Sequence, residues 1–463
     1  MGDFHYQRDA DNIVTVTMDM DGPVNVMNDA CTQFMEATLT RLEAEKETLA
    51  GVIITSAKPT FFAGGDLKRI YALQPSQSAE FFHALEAKKS LLRRLEQLGK
   101  PVVAAINGTA LGAGFEICLA CFHRIAIDNP KTLLGLPEAT LGLLPGAGGV
   151  VRTVHLLGLK RALPYLLEGT LVRPDEALAS GLIDQLASDN DSLLAKARSW
   201  IKANPEVAKP WDQKGYQLPG GGANDTVVRR LVAGAIAQLS QQSEERLPAP
   251  EMILDVAVDA TRVNFDTALR IESRALTSLV MTPQAKGLVA FKFLQASKEP
   301  VQAPEDYVAR LSEAYHAEAA RLLDELISPV LINAVARQAG LTRNPLGDDV
   351  KGAGCVDVNL ADVRDRLLFS QVIEALHCWE QDLIGDVVVG NVGSVNGAGF
   401  PASLGGVFQC IDSYGFSSDA GTDAELGAAA FVRRADQLAS QYGQRFNAPD
   451  LLLQKVETAA TFW

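Results

Sequence analysis

Strand-like and helix-like segments alternate through the first ~200 residues, and this alternation restricts the fold more than any other feature of the sequence. NIVTVTMD at 12–19 alternates apolar and polar residues, whereas LAGVIITSA at 49–57 and PVVAAING at 101–108 are typical of buried strands. The segments at 31–47 and 89–99 are amphipathic and predict helices, and FEICLACFHRIAI begins as one. Strands separated by helices predict an α/β domain with largely parallel pairing.

The pattern changes after NPEVAKPWDQKGYQLPGGGAND at 204–225, whose three Pro and four Gly predict a long loop. From about 226 onward the chain is predicted to be mostly helical. Two segments that begin at Arg310 and Arg366 resemble each other, because Glu318-Ala319 matches Glu374-Ala375 and Gly340 matches Gly397 at nearly the same offset. The repeat predicts two related helical units that pack together, since neither would bury its apolar face well alone.

The charge balance excludes some classes of partner. A net charge of −14 argues against a nucleic-acid backbone or an anionic membrane surface as the main partner. The longest uncharged run, 387–411, contains six Gly, two Asn and one Pro, which predicts loops and short helices and not a membrane span. No secretory signal is visible, so we expect a cytoplasmic protein. Cys118 and Cys121 form a CxxC without a second pair, which favours small residues on a buried helix.

Two glutamates stand in unusually apolar surroundings. LLGLPEATLGLLPGAGG at 133–149 contains Glu138 as its one charged residue, and AAINGTALGAGFEICLA at 104–120 contains only Glu116. Burial raises the pKa of a carboxyl group toward neutrality, which is what general acid–base catalysis needs. A purely structural alternative is that Glu116 caps its helix and Glu138 bonds a nearby backbone. The glycines there, and those of TSAKPTFFAGGDLK at 55–68, permit tight turns whose N–H groups can face an oxyanion.

These three segments resemble the motifs of the crotonase (enoyl-CoA hydratase/isomerase) superfamily, and they follow each other along the chain in the same order as in that family. FFAGGDLK looks like its first oxyanion-hole motif, NGTALGAGFE like its second, and GLPEATLGLLPGAGG like the third, which carries the second catalytic glutamate. The resemblance covers residues 1–205 and implies an α/β domain of the ClpP/crotonase-like spiral type. It implies catalysis by Glu116 and Glu138, which would hold and activate one water.

The resemblance also assigns the glycine-rich turns. The N–H groups of Gly65 and Ala113 would bind the thioester oxygen of an acyl-CoA substrate, and the substrate-binding residues would be Ala63, Gly64, Gly112 and Gly114. The family often has Gly-Gly-Gly where this chain has Gly112-Ala113-Gly114, and Ala where it has Gly65. Neither change removes a backbone donor. Asp66 is expected to be structural, and the resemblance implies no metal and no cofactor beyond the acyl-CoA substrate.

The remainder resembles parts of the multifunctional β-oxidation enzymes, in which a hydratase is fused to a 3-hydroxyacyl-CoA dehydrogenase. Residues 206–300 resemble the linker helices of those enzymes. The ranges 305–352 and 353–463 resemble two C-terminal helical repeats of the dehydrogenase, so an all-α C-terminal half is expected. The Rossmann domain of that family is missing between FKFLQASKEP and VQAPEDYVARL, and no G-x-G-x-x-G turn is found.

Two explanations of the missing domain stay open. Either the protein lacks it, or the molecule carries a segment that this sequence does not record; the mass of the intact polypeptide, compared with 49.6 kDa, would decide. For the sequence as it stands, NAD binding and dehydrogenase activity are not expected. His316 and His377 are interpreted as ordinary helix residues.

The sequence therefore predicts a 2-enoyl-CoA hydratase that acts on acyl-CoA thioesters in fatty-acid β-oxidation. One alternative is a Δ3-Δ2-enoyl-CoA isomerase, which needs mainly Glu138 as a proton shuttle. Another is a bifunctional hydratase/3-hydroxyacyl-CoA dehydrogenase, if an unrecorded Rossmann segment exists. A non-catalytic assembly module would have no need of either glutamate. A homo-oligomer and a thiolase partner both stay open.

Overall fold

The chain forms two compact units. The computed structural model describes residues 2–242, 245, 247–295, 302–348, 350–352, 358–417 and 424–462. The N-terminal unit comprises Met1–Ile70, Gln77–Ala237 and Ala249–Thr277, and the C-terminal unit comprises Tyr71–Ser76, Gln238–Pro248 and Ser278–Trp463. The domain boundaries expected from the sequence stay predictions, and the junction after residue 300 and the boundary at 353 lie outside the described residues.

A six-stranded sheet organises the N-terminal unit, with the strand order β1-β2-β3-β4-β6-β8. β1 and β2 are antiparallel, and every other neighbouring pair in this sheet is parallel, as the alternation of strands and helices predicted. β5 and β7 form a separate parallel pair. The strands are β1 (Asp3–Arg8), β2 (Ile13–Asp19), β3 (Gly51–Ser56), β4 (Val102–Ile106), β5 (Ala110–Leu111), β6 (His123–Ile127), β7 (Leu134–Gly135) and β8 (Gln185–Ala187).

Helices connect the parallel strands of this sheet, and several of them pack on it. The predicted segment at 31–47 lies in α1, which begins where Asn28 accepts a hydrogen bond from the Cys31 N–H group. The segment at 89–99 is the end of a longer helix, α3. Up to residue 277 the helices are α1 (Asp29–Glu45), α2 (Leu67–Ala72), α3 (Ser78–Glu96), α4 (Ala113–Ala120), α5 (Gly149–Leu157), α6 (Leu159–Leu167), α7 (Pro174–Ser180), α8 (Asn190–Ala203), α9 (Thr226–Gln242), α10 (Pro248–Asp259) and α11, which extends to 279 (Phe265–Leu279).

The sheet has an apolar core on the side that α8 covers. Every residue of β3 and β4 is buried, because parallel strands with helices packed on them lose contact with water. Cys118 and Cys121 are buried free thiols, as interpreted from the sequence. One core cluster joins the strands to α8; its members are Ile13, Ile53, Val103, Ala105, Ile125, Ala187, Leu193, Ala197 and Ile201.

Helices form the described part of the C-terminal unit. α13 packs against α15, and these two helices carry the related sequences; the repeat itself stays a prediction. His316 lies on α13 and His377 on α15, as expected. The uncharged run at 387–411 forms short helices and loops. The helices are α12 (Pro283–Val289), α13 (Glu305–Asp324), α14 (Pro329–Gln338), α15 (Leu360–Glu380), α16 (Val387–Asn396), α17 (Val407–Asp412), α18 (Ala428–Tyr442) and α19 (Asp450–Glu457).

Candidate active site

The three glycine-rich segments lie side by side in the N-terminal unit. Phe62 of the first segment and Ala110 of the second form a parallel β-bridge, and the Leu111 N–H donates to the Phe62 carbonyl at 3.0 Å. The second segment is in turn joined to the third, because the Gly112 N–H donates to the Gly135 carbonyl at 2.9 Å. The segments that the sequence singled out therefore meet at one place, where β3 and β4 have ended.

Glycine is required in this arrangement because the segments approach each other closely. A Cβ atom at Gly114 would lie 2.4 Å from the Phe62 Cβ, which no side chain tolerates. Gly112 has φ of +51°, and a Cβ there would lie 2.3 Å from the Glu138 Oε1. The carboxyl group of Glu138 therefore lies directly over the turn that precedes α4.

A buried asparagine holds the first segment in place. The Nδ2 of Asn25 donates to the Ser56 Oγ at 2.8 Å and to the Phe61 carbonyl at 3.1 Å. The backbone carbonyl of Asn25 accepts the Ala63 N–H at 2.9 Å. Since a buried amide must have its hydrogen bonds satisfied, these contacts fix the path of the backbone into the FFAGGDLK turn. Sequence reasoning did not single out Asn25.

The two expected oxyanion donors, Gly65 and Ala113, begin or precede helices. Within the described residues, neither N–H group donates a hydrogen bond to another protein atom. Ala113 is the first residue of α4, whose N-terminal N–H groups have no partner inside the helix. Asp66 accepts the Arg69 N–H at 3.1 Å near the start of α2, and its expected structural role stays a prediction. The oxyanion role of Gly65 and Ala113 stays a prediction.

The other four expected substrate-binding residues differ in exposure. Ala63 lies at the surface, whereas Gly64, Gly112 and Gly114 are buried. A Cβ at Gly64 would lie 3.4 Å from the Leu111 carbonyl oxygen, so this glycine is packed on the second segment. The structure brings all four into the region where the first and second segments meet; their binding role stays a prediction.

Glu116 is held by the turn that leads into α5. Its Oε1 accepts the Ala147 N–H at 2.7 Å and the Gly149 N–H at 2.6 Å. Glu116 is 1% exposed, so these hydrogen bonds are formed away from water. The side chain thus bonds the start of the following helix instead of capping its own. Two N–H donors to one oxygen stabilise the ionised carboxylate.

Glu138 lies in a 3₁₀ turn, Pro137–Leu141, directly after β7. The residue as a whole is partly exposed, yet its Oε2 atom is buried and has no hydrogen-bond partner among the described residues. Leaving a buried carboxylate oxygen unpartnered is costly, and a neutral carboxyl group bears that cost better than an ionised one. The orphaned oxygen is the kind of group that a bound water or substrate would satisfy.

The two glutamates influence each other's titration. Burial, and secondarily the charge of Glu272, raise the pKa of Glu116 to about 7, although the N–H donors of Gly149 and Ala147 oppose the shift. Burial and the charge of Glu116 raise the pKa of Glu138 well above its usual range. Near neutral pH the pair therefore holds a proton, preferentially on Glu138, while Glu116 is close to its midpoint.

A third buried carboxylate was missed by sequence reasoning. Glu272 on α11 is fully buried, and its Oε1 lies 2.9 Å from the Lys89 Nζ of α3. It also accepts the Gly148 N–H at 2.7 Å. No local signal marks this residue, because Glu272 stands between Arg270 and Arg274 in a stretch that looks like the solvent face of a helix.

Metal-binding clusters and membrane-spanning helices are both absent from the described residues. In that part of the chain, no three His, Cys, Asp or Glu side chains are grouped so that they could hold a metal ion. None of its helices combines the length and the apolar character that crossing a bilayer requires.

Comparison with known proteins finds a family model that matches part of this unit. Residues 8–209 match the family model described as enoyl-CoA hydratase/isomerase. This match supports the crotonase superfamily for that segment and a crotonase-like α/β fold. It does not extend to the helical remainder, so the resemblance to the multifunctional enzymes and the dehydrogenase-type repeats stay predictions.

Solved structures with detectable similarity include an enoyl-CoA hydratase from Bacillus anthracis, with 28% identity over 56% of this chain and 91% of that chain, at a TM-score of 0.40. Human mitochondrial delta3-delta2-enoyl-CoA isomerase is 24% identical over 57% of this chain and 95% of that chain, at a TM-score of 0.39. DspI of Pseudomonas aeruginosa is 23% identical over 52% of this chain and 94% of that chain, at a TM-score of 0.40.

Proposed function

We propose that the N-terminal unit is a 2-enoyl-CoA hydratase, in which Glu116 and Glu138 add one water across the C2–C3 double bond of an acyl-CoA thioester. The observation that carries the proposal is that the two carboxyl groups differ in their hydrogen bonding. Glu116 accepts two backbone N–H groups, whereas the Glu138 Oε2 is buried without a partner in the described protein. Hydration needs one base and one acid, and this pair supplies both near neutral pH.

The chemical steps follow from these protonation states. The ionised Glu116 takes a proton from the water as its oxygen attacks C3. Electrons of the double bond move toward C2 and the thioester carbonyl, where the N–H groups of Gly65 and Ala113 would stabilise the enolate oxygen. The protonated Glu138 then donates its proton to C2. The proton from water stays on Glu116 and returns to Glu138 between turnovers, so that both glutamates end as they began.

Δ3-Δ2-Enoyl-CoA isomerisation is the second candidate, because it can be performed by one carboxylate that moves a proton between carbons. Glu138 would have to begin that reaction ionised, and its burial with an unpartnered oxygen opposes ionisation. We therefore expect hydration to exceed isomerisation. Glu116→Gln separates the two: it should lower hydration by about 100-fold or more and isomerisation much less, since only hydration needs an activated water.

The proposal names acyl-CoA as the substrate and no other cofactor. The choice of acyl-CoA follows from the sequence resemblance, and so does the expectation that NAD does not bind. Titration calorimetry with NAD and an oxidation assay with a 3-hydroxyacyl-CoA test that expectation directly. Micromolar NAD binding would favour the bifunctional alternative. A thiolase partner and a homo-oligomer are separate predictions, which are tested by co-purification and by the mass in solution.

The decisive experiment is a hydration assay on purified protein with 2-enoyl-CoA thioesters of increasing chain length, monitored by loss of the conjugated thioester absorbance. The proposal predicts turnover on at least part of the series and saturation at micromolar to millimolar substrate. Absence of hydration throughout the series, with measurable isomerisation of 3-enoyl-CoA, would replace it by the second candidate.

A further inference from the structure

The turn at 145–149 is clamped between two buried carboxylates that come from distant parts of the chain. Three consecutive backbone N–H groups divide between them: those of Ala147 and Gly149 donate to Glu116, and that of Gly148 donates to Glu272. The Glu272 Oε2 also accepts the Val151 N–H at 3.2 Å. One face of the turn therefore orients the proposed base, and the other face is anchored by Glu272.

We propose that the buried Lys89–Glu272 ion pair is a positioning device for the hydration reaction, holding the turn at 145–149 against Glu116 and balancing the charge around that carboxylate. The inference rests on the proposed function for its catalytic meaning. It assigns a role in the reaction to α11, which lies outside the segment that matches the family model.

The ion pair is tightly built. The Lys89 Nζ lies 2.9 Å from the Glu272 Oε1 and donates to the Leu269 carbonyl at 2.6 Å, and both side chains are at most 3% exposed. Charges this deeply buried destabilise a protein unless they are paired and hydrogen-bonded. Glu272 satisfies this requirement with Lys89 and with the N–H groups at the start of α5, where a helix dipole favours negative charge.

The turn has little freedom to relax if one anchor is lost. Gly148 has φ of +102°, and a Cβ at Gly149 would lie 2.7 Å from the Pro145 Cβ and 2.8 Å from the Glu116 Oε1. Arg152 of α5 donates to the Ala147 carbonyl at 2.8 Å. A displacement of the Gly148 anchor would therefore move the two N–H groups that Glu116 accepts.

The proposed base and the charged groups around it come from five elements. Lys89 and Glu96 lie on α3, Glu116 on α4, Glu138 in the 3₁₀ turn, Arg152 on α5 and Glu272 on α11. Arg152 is paired with Glu96 at 2.7 Å, which leaves Lys89 and Glu272 as the pair that acts most directly on Glu116. Their effects oppose each other, since Glu272 raises the pKa of Glu116 and Lys89 lowers it.

Because the two charges shift the pKa of Glu116 in opposite directions, removing each of them distinguishes a positioning role from a merely structural one. Glu272→Gln keeps the shape and an oxygen acceptor but removes the negative charge, so the acidic limb of the hydration pH profile should move to lower pH by about one unit. Lys89→Met removes the positive charge, so the limb should move to higher pH. The double variant should return toward the wild-type position, and it remains informative if Lys89→Met does not fold.

The control is Glu43→Gln, which also removes a glutamate charge from an ion pair, because Glu43 lies 2.8 Å from Arg94. This variant should leave the acidic limb of the pH profile unmoved. The titration of Glu116 is read independently from the ¹³C signal of its labelled carboxyl, assigned by comparison with Glu116→Gln, in protein without substrate. Shifts of opposite sign in the two single variants, in either readout, support the proposal. Unmoved titration with lowered thermal stability, or shifts of the same sign, would overturn it.

The carboxyl readout also keeps the two proposals apart. If the wild-type protein hydrates no 2-enoyl-CoA, the proposed function fails, whatever the variants do. If it hydrates but Glu116 titrates identically in Glu272→Gln and in wild type, then only the positioning role of the ion pair fails.

Discussion

Buried glutamates occur in both units of this protein, but their surroundings differ. In the C-terminal unit, Glu318 is fully buried and accepts hydrogen bonds from Arg366 at 2.6 Å and from Arg445 at 2.6 and 3.0 Å. In the N-terminal unit, the Glu138 Oε2 is equally hidden from solvent, but no described residue donates to it. One carboxylate is neutralised by guanidinium groups, whereas the charged groups that act on the other, Glu116 and Glu272, are themselves carboxylates.

The difference indicates which buried carboxylates serve stability and which serve chemistry. A buried carboxylate surrounded by arginines stabilises the folded state, and removing it takes a shared partner from each of those cations. A buried carboxyl with a strongly raised pKa destabilises the folded state when it ionises, so its presence points to a role in function. The comparison therefore predicts large effects on turnover in the N-terminal unit and effects on stability alone in the C-terminal unit.

The largest expected effect on turnover is that of Glu138→Gln. The amide has the same size but cannot donate a proton to C2, so hydration should fall by about 100- to 10,000-fold while the protein stays folded. Steady-state hydration kinetics and circular dichroism measure the two effects. Activity within a few-fold of wild type would remove Glu138 from the mechanism and end the distinction drawn between the two units.

Gly112→Ala should have the next largest effect. Its Cβ would lie 2.3 Å from the Glu138 Oε1, so the carboxyl must move, and we expect turnover to fall by about 10- to 100-fold. Gly22→Ala is the matched control, because Gly22 also has a positive φ of +90° but no atom lies within 4 Å of its added Cβ. If both variants lose equal activity, backbone strain and not the displaced carboxyl is responsible.

Glu318→Gln should have the smallest effect on turnover and a large one on stability. Because it leaves Arg366 and Arg445 without their shared carboxylate, we expect a loss of about 3 kcal/mol in the free energy of unfolding, with hydration per folded molecule within two-fold of wild type. Urea denaturation and the hydration assay measure the two quantities. Glu313→Gln, an exposed position on the same helix, serves as the control. A stability equal to that of the control would show that the arginine cluster contributes little.

Much of the N-terminal unit could be predicted from sequence because its signals are local. Buried strands such as 102–106 are continuous apolar runs, and the two glutamates stand out in apolar surroundings. β1 was missed because DFHYQR is polar and contributes few buried side chains, and it is placed by antiparallel pairing with β2. Edge strands of this kind leave little trace in composition.

The positioning pair could not be predicted because its meaning is entirely tertiary. Lys89 lies in a segment correctly predicted as a helix, and Glu272 is flanked by arginines that suggest an exposed face. Only the packing of α3 and α11 on the turn at 145–149 brings their charges beside Glu116. Likewise, nothing in the sequence of 71–76 indicates that this short segment belongs to the C-terminal unit.

The pH dependence of hydration by the wild-type protein tests the central claim most directly. Glu116 must be ionised to accept the proton of water, and its pKa of about 7 predicts that kcat/KM falls tenfold per unit as the pH drops below about 7. Glu138 must stay protonated, so a second decline should follow at alkaline pH, above the raised pKa of that group. A bell-shaped profile with its acidic limb near 7 is the predicted result. A rate that is constant from about pH 5 to 9, or an acidic limb near the ordinary glutamate value of about 4.3, would contradict the account.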